Sequence, residues 1–442
     1  MRFFDREAET AELRRIRDLS ERSSRFTVLT GRRRVGKTEL IHHALGDRPY
    51  IYWYVTRSVE KTLAATFQEA AESVLGVRLP ARAESVAALF AWVMEQAERQ
   101  HVTLVIDEFQ EFMRMDSGIY SEMAAVWDRL HKTARINLVV SGSINRLMNL
   151  IFFDDGEPLY GRNTGKIKLT PFRISVLKEI LAAHAPRGKF KPEDLLTLWT
   201  LTGGVARYVE QFMDEGAVTS KAMLDAAFCQ SSPILDEGKV VLIQEFGKDF
   251  GTYFAILAAV ATGRTSYGEI KNEIGIEPGA YLDKLERDYG ILERKMPFKA
   301  SPRGKNGQYK IEDRFFRFWF RFVYRYQYLV ESGRFAELRT IVERDFSTYS
   351  GESLESYFRA LFLERESYTC VGGWWDRKGE NEIDLVAEDE LKRRLDFYEI
   401  KRDSRDVSLP LLEAKAKAYF EKNGGLKSNW VIRHQALSLK DM

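Results

Sequence analysis

At 442 residues the chain is too long for one core, and two to four domains are expected. Apolar content is ordinary for a globular protein, and the net charge of +2 excludes a global pull toward nucleic acid or membrane, so any such surface must be a local patch. Cys229 and Cys370 match no metal or disulfide spacing, no apolar run reaches the ~20 residues that span a bilayer, and the charged, amphipathic N-terminus is no secretory signal, all of which fits a cytoplasmic protein.

Residues 1–25 read as a helix leading into an apolar strand at 26–30. The strand runs into Gly31-Arg32-Arg33-Arg34-Val35-Gly36-Lys37-Thr38, a complete G-x-x-x-x-G-K-[ST] phosphate loop, and Lys37 starts a helix. The glycines let backbone N–H groups turn onto phosphate oxygens, and the helix adds its positive end. Lys37 is expected at the β- and γ-phosphates of ATP and the Thr38 hydroxyl on Mg²⁺. Gly31, Arg34, Val35, Gly36, Lys37, Thr38 and Glu39 are the candidate nucleotide-binding residues. The arginine triplet meets either nucleotide, an acidic neighbour or solvent. A second strand falls at 48–56, and 60–100 has helical spacing. Residues 102–106 form a buried-strand run ending in Asp107-Glu108, a Walker B pattern. Asp107 is expected to hold Mg²⁺, and Glu108 to orient and activate the attacking water. After a helix at 119–133, another buried strand at 136–143 ends in small polar residues. Ser141 or Ser143 either senses the γ-phosphate or closes a plain strand-end turn. Arg162, between Gly161 and a Gly/Thr loop, is either a surface arginine or one that contacts phosphate, in cis or from a neighbouring subunit, which leaves an oligomer open.

Alternating strands and helices argue an α/β fold, a parallel sheet with nucleotide at the strand C-termini. Residues 173–240 read as helical, interrupted by Leu-Thr-Gly-Gly at 201–204 and followed by Arg207, which suits a helical lid. Helices at 250–261, 267–274 and 279–289, then a hairpin over 292–311, make a winged helix-turn-helix. Its wing holds Arg294, Lys295, Lys299, Arg303, Lys305 and Lys310 against Glu293 alone. That is the footprint of phosphate-backbone binding, with double-stranded DNA the candidate partner, or else a wing that packs on an acidic domain. In 315–330, Arg314, Arg317, Arg321 and Arg325 form one helical stripe and Phe315, Trp319, Phe322 and Tyr326 another, the pattern of a core-packing helix with an arginine edge.

The last 90 or so residues carry a second constellation. A helix at 353–364 contains Glu355, and strands follow at 368–373, 382–387 and 396–401. A helix at 411–422 and a strand at 429–432 close the string. Asp384 on one strand and Glu399-x-Lys401 on the next have the spacing of a restriction-endonuclease-like site. Alternation places Glu399 and Lys401 on one face. Asp384 and Glu399, with Glu355 from the helix, are the candidate ligands of a divalent metal, and Lys401 would orient water or steady charge. The competing reading is a fold relic with solvated charges.

The segments GRRRVGKT at 31–38, VIDEFQEF at 105–112, GEPLYGR at 156–162, TGGVARY at 202–208, DRFFRFWFRFVY at 313–324, EIDLVA and YEIKRD carry a resemblance. The chain resembles the archaeal- and bacterial-type AAA ATPases of the STAND group that end in a domain of unknown function with a restriction-endonuclease-like core. The resemblance implies ATP as nucleotide, the Walker roles given above, and Arg162 as an arginine finger or sensor. Ala206 departs from the proline often found there in relatives. The expected organisation is an ATPase core over 1–172, a lid over 173–244, a winged helix with its connecting helix over 245–330, and a nuclease-like domain over 331–442. The expected function is an ATP-driven switch controlling that last domain on DNA. The alternative is a non-nucleolytic, ATP-gated regulator that binds DNA or protein through the winged helix.

Overall fold

Short apolar runs alternating with helices favour parallel pairing, because each helical connection can carry the chain back over the sheet. The strands β1 (Arg25–Thr30), β2 (Ile51–Tyr54), β3 (Val102–Asp107), β4 (Ile136–Gly142) and β5 (Gly165–Lys168) do so in the order β2-β3-β4-β1-β5, all parallel. The protein is described by a computed structural model that covers every residue except 144, 247–249, 302, 303, 305, 378 and 425–428. The chain forms two units, one of Asp5–Thr170 and one of Met1–Phe4 with Pro171–Met442.

In the first unit β3 and β4 are buried along their whole length. Val28, Trp53, Leu104, Ile106 and Leu138 pack with helices Glu60–Leu75 and Val86–Arg99 into one core. From β1 the chain travels to the β2 edge, and from β4 it crosses to β5 on the far side of β1. The strand order therefore reverses beside β1, which opens a crevice at the strand C-termini.

The second unit begins with five helices between Ile174 and Phe246. Gly203 and Gly204 both have positive φ, 56° and 78°. A Cβ on Gly204 would lie 2.4 Å from the Phe172 carbonyl oxygen, so only glycine fits this turn. Helices Phe250–Ala261, Tyr267–Ile274 and Gly279–Asp283, whose path continues to Asp288, precede the antiparallel pair β6 (Leu292–Lys295) and β7 (Gln308–Ile311). The aromatic segment is helical from Arg314, with a wider turn over Trp319–Val323. Phe315, Phe316, Phe318, Trp319, Phe320 and Phe322 are all buried, so the apolar face is broader than one stripe. Its arginine edge faces helix Phe335–Glu364, where Arg317 pairs with Glu352 and Arg321 with Asp345 at 3.3 Å.

A four-stranded sheet closes the unit: β8 (Cys370–Trp375), β9 (Glu382–Asp389), β10 (Arg394–Ile400) and β11 (Val431–Leu437), in the order β11-β10-β9-β8. β8–β9 and β9–β10 are antiparallel, and β10–β11 is parallel. Helix Leu409–Lys422 packs through Leu412 and Ala416 on Val386, Leu395 and Phe397. Leu385, Ala387, Tyr398 and Ile400 join a single core that also holds the aromatic helix and the helices from Ile174 onward.

Candidate functional site

In the first unit β1 ends at Thr30 and the phosphate loop follows. Arg34 and Gly36 adopt positive φ, 68° and 97°, and helix Lys37–Leu45 starts directly after them. That left-handed kink turns successive N–H groups toward one point. Gly31 is packed so closely that a Cβ would sit 2.7 Å from the Leu169 carbonyl oxygen. Val35 is buried beneath the loop, whereas Arg34 and Glu39 are exposed. Lys37 Nζ donates to the Gly31 and Arg32 carbonyl oxygens at 3.0 and 3.3 Å, so its ammonium lies over the loop.

β3 lies beside β2 and β4, and its terminal carboxylate is 1% exposed. Asp107 Oδ2 accepts from the Thr38 hydroxyl at 2.8 Å and the Tyr52 hydroxyl at 2.7 Å. Asp107 Oδ1 accepts from the Glu108 N–H at 2.9 Å and from the Ser141 hydroxyl. Four donors satisfy a buried carboxylate, which makes its desolvation tolerable. Burial and the Asp107 charge push the Tyr52 phenol up, so it remains a donor. Glu108 has a φ of 55° and accepts from the Ser143 hydroxyl at 2.8 Å and from the Gln110 side-chain amide. Both serines raised by the sequence are thus bound to acidic residues of the β3 end. Tyr52 and Gln110 were not singled out from sequence. Tyr52 enters because Tyr54 pairs with Asp107, a non-local register that no local pattern encodes.

Of the readings open for Arg162, its contacts within the chain fit the surface arginine. It forms a bidentate pair with Asp128, 3.0 Å from Oδ1 and 2.7 Å from Oδ2, and also donates to the Pro158 carbonyl. It precedes β5, whose Gly165 pairs with Thr27 near the start of β1. In a parallel sheet that is the end opposite the phosphate loop, about 20 Å away at ~3.3 Å per residue. Arg162 therefore does not approach the loop of its own chain. Arg207 pairs with Glu210 one helical turn away, at 3.0 Å.

In the second unit the β9–β10 register runs as far as Tyr398 opposite Leu385, and Asp384 and Glu399 follow directly beyond that last pair. Lys401 Nζ bridges them, 3.2 Å from Asp384 Oδ2 and 2.9 Å from Glu399 Oε1. The Ile400 N–H donates to Asp384 Oδ2 at 2.7 Å, and Lys415 from helix Leu409–Lys422 reaches Glu399 Oε2 at 3.0 Å. Burial would raise Glu399, but Lys401 and Lys415 hold it below its usual range. Burial raises Asp384 despite the Ile400 N–H and Lys401. Glu355 is pushed up to about 7, first by burial and then by the Asp384 charge. So the structure brings Asp384, Glu399 and Lys401 together and puts Glu355 beside Asp384. It does not assemble the expected Glu355–Asp384–Glu399 metal shell. Among the described residues no three of His, Cys, Asp or Glu group to hold a metal ion. The reason is local: two ammonium groups occupy Glu399, and an N–H and a lysine occupy one oxygen of Asp384.

Of the hairpin's expected cations that are described, Arg294, Lys295 and Lys310 are half-buried and Lys299 is exposed. Phe298 N–H donates to the Gly373 carbonyl at 2.8 Å, Phe298 packs with Trp374, and Trp375 Nε1 donates to the Asn306 carbonyl at 3.1 Å. The hairpin is thereby fixed on the C-terminal sheet. Lys310 pairs with Glu352 at 3.3 Å, Lys295 with Glu293 at 3.6 Å and Lys299 with Glu388, and Arg294 donates to the Gly304 carbonyl at 2.6 Å. Arg303 and Lys305 lie outside the described residues.

Residues 3–212 match the family described as an ATPase domain predominantly from Archaea, and residues 319–416 match archaeal and bacterial proteins of unknown function. An uncharacterised protein of Methanocaldococcus jannaschii is 28% identical over 418 residues, covering 91% of this chain and 88% of that protein. The Walker-type ATPase of Pyrococcus abyssi superposes with a TM-score of 0.55 at 21% identity, over 72% of this chain and 96% of that one. The ORC2 protein of Aeropyrum pernix does so with a TM-score of 0.52 at 15% identity, over 74% and 94%. The last two share the fold. No described helix is long and apolar enough to cross a membrane.

Proposed function

An ATPase domain that hydrolyses ATP occupies the N-terminal part of the chain, and we propose that its nucleotide cycle controls a C-terminal module of restriction-endonuclease-like architecture acting on DNA. The observation that carries the reading is the Thr38 hydroxyl on Asp107, one residue into the helix that ends the phosphate loop. An alcohol and a carboxylate side by side suit the hard cation Mg²⁺, which would be held by Thr38 and Asp107 and would neutralise phosphate charge. Gly31, Gly36 and the N–H groups before Lys37 would cradle the phosphates, with Arg34, Val35 and Glu39 flanking them. Lys37 would exchange its two carbonyl partners for phosphate oxygens. Glu108, released from Ser143 and Gln110, would take the proton of the attacking water. Residues 173–244 are read as the lid, 245–330 as winged helix with its connecting helix, and 331–442 as the nuclease-like module. A protein of this kind works in the cytoplasm, and Arg162 could still act on a neighbouring subunit.

Lys37→Ala should abolish tight ATP binding, and Glu108→Gln should keep binding while slowing turnover. Equal turnover in wild type and Glu108→Gln would sink the assignment. A second reading, a module that binds without cutting, is favoured by the two lysines on Glu399. DNA cleavage assayed with and without added divalent cation separates the two. Loss of cleavage in Asp384→Ala and Lys401→Ala decides for a nuclease, and no cleavage in any nucleotide state decides for the second reading.

A further inference from the structure

The sheets of this protein end in edges of unequal length and protection. β2 and β5, at the two ends of the first sheet, are four residues each. On the C-terminal sheet the β8 edge is met by the hairpin, through the Phe298 N–H on the Gly373 carbonyl at 2.8 Å. β11, at the other end, runs for seven residues, Val431–Leu437. It keeps unbroken register with β10, has neither proline nor bulge, and carries Arg433 as its one formal charge. No residue of β11 is buried, whereas all of β10 after Arg394 is. Among the described residues no hydrogen bond reaches its outer side. A long, unguarded edge of apolar and β-branched residues is the form that pairs with another strand, and natural sheets blunt such edges where pairing is unwanted.

The register fixes which groups that edge offers. The Val431 N–H donates to the Arg393 carbonyl at 2.9 Å, and the Leu437 carbonyl accepts from the Lys401 N–H at 3.0 Å. Along a strand both main-chain groups of a residue point to one side, and the side alternates. Val431, Arg433, Gln435 and Leu437 therefore turn toward β10, and Ile432, His434 and Ala436 turn their N–H and C=O groups outward. Two copies close on each other about a two-fold axis, which makes their edge strands antiparallel. An axis at His434 overlaps the whole strand. It sets Ile432 opposite Ala436 and His434 opposite its own mate, so each outward-facing pair exchanges both hydrogen bonds. It also sets Val431 opposite Leu437, and Arg433 opposite Gln435. An axis one residue earlier would oppose Arg433 to itself, an unfavourable like-charge pair, and every other axis overlaps fewer residues. Helix Leu409–Lys422 packs on Val386, Leu395 and Phe397 and so lies over β9 and β10, one strand back from the edge. The His434 ring is stacked on Phe397, with 5.6 Å between centroids, which holds it on that sheet face. The net charge of +2 opposes self-association only weakly.

We propose that β11 is the contact between two copies of this chain, paired antiparallel about His434 into one continuous sheet. Glu399 pairs with Ala436, close to that axis. The two Asp384–Glu399–Lys401 clusters then lie on one face of the joined sheet, about 20 Å apart from ~4.8 Å per strand step and ~3.3 Å per residue. The contact stands whether or not the module cuts nucleic acid.

The test follows the full chain, without nucleotide, by sedimentation velocity over a range of protein concentration. A monomer–dimer equilibrium is expected. Ala436→Pro removes an outward N–H and none that faces β10, which an edge strand tolerates. Ala436→Lys adds a charge to the same edge. The two-fold axis doubles each change, so each variant should weaken the dimer by about tenfold or more. Melting at a dilution where the wild type is monomeric should be the same for all three, which separates lost pairing from lost fold. His434→Cys, in a chain that also carries Cys229→Ser and Cys370→Ser, should form a disulfide between copies on mild oxidation, its Cα atoms being about 5.5 Å apart. Val431→Cys in the same background, about 20 Å from its mate, should not. A wild type that stays monomeric at every concentration would overturn the proposal. So would a dimer that Ala436→Pro and Ala436→Lys leave as tight as wild type, which would move the contact to another surface. Cross-linking of Val431→Cys in preference to His434→Cys would overturn the antiparallel register.

Discussion

Lys295 offers a sharp test of the buried hairpin. Its side chain is 26% exposed and pairs with Glu293 only at 3.6 Å. Burial lowers its pKa from 10.5 to about 8, partly opposed by the Glu293 charge and assisted by Arg359 on the neighbouring helix and by Lys310 and Arg314. A folded-state pKa below the unfolded one means that the unfolded chain binds the proton more tightly. Stability therefore falls as pH drops from 10.5 through 8, and the full penalty is present below that window. The gap corresponds to at most about 3 kcal/mol, and residual solvent contact reduces the expected cost to about 1–2 kcal/mol. Lys295→Met keeps the apolar stem and removes the charge. Urea denaturation followed by tryptophan fluorescence should find the variant more stable than wild type by that amount at pH 7. The difference should shrink toward zero, or reverse, near pH 10. A variant equally stable at pH 7, or one whose advantage does not change with pH, would refute the claim that the wing lysine is desolvated against the sheet.

Tyr52→Phe removes one of the four donors to Asp107 and should cost about 1 kcal/mol of stability and slow ATP turnover several-fold, read by a phosphate-release assay; unchanged turnover would make Tyr52 a packing residue. Gly204→Ala places a Cβ 2.4 Å from the Phe172 carbonyl oxygen at a φ of 78°, so calorimetry should record a lower melting temperature and a loss of about 2–4 kcal/mol. Arg162→Ala breaks the exposed pair with Asp128 and should cost at most about 1 kcal/mol; a fall in ATP turnover that depends on protein concentration would restore Arg162 as a residue acting on a neighbouring subunit.

The ATPase half was legible where chemistry is local. Eight consecutive residues specify the phosphate loop, and a buried run ending in two acids specifies β3, because both need no knowledge of what pairs with what. The rest depended on pairing. Nothing near Tyr52 announces that its hydroxyl reaches Asp107, since that follows from β2 lying beside β3. β5 had no strand assigned because Gly165-Lys166-Ile167-Lys168 offers one apolar residue on an edge, too few to register as alternation. Arg162 stays open between two readings in the sequence for the related reason that a residue before an unrecognised parallel strand cannot be assigned to an end of the sheet.

The C-terminal half shows a different limit. Strand positions and the Asp384, Glu399 and Lys401 cluster were visible, because a hairpin with a short turn brings residues at such spacing together almost regardless of context. Lys415 was not, since which helix face meets β10 is a packing outcome. The wing is the clearest instance. Six cations against one acid gave the sign and strength of a local field, and that count was correct for the hairpin in isolation. The direction of the field was decided elsewhere, by Phe298 entering the core with Trp374 and by Glu352 and Glu388 on the elements beneath. Burying an aromatic anchor contributes about 2–3 kcal/mol, whereas an exposed ion pair contributes about 0–1 kcal/mol. The apolar anchor therefore sets the orientation, and Lys295 and Lys310 follow it inward at the cost recorded in the lowered pKa of Lys295. A basic hairpin that also carries a large apolar residue near its tip should be expected to face its own protein.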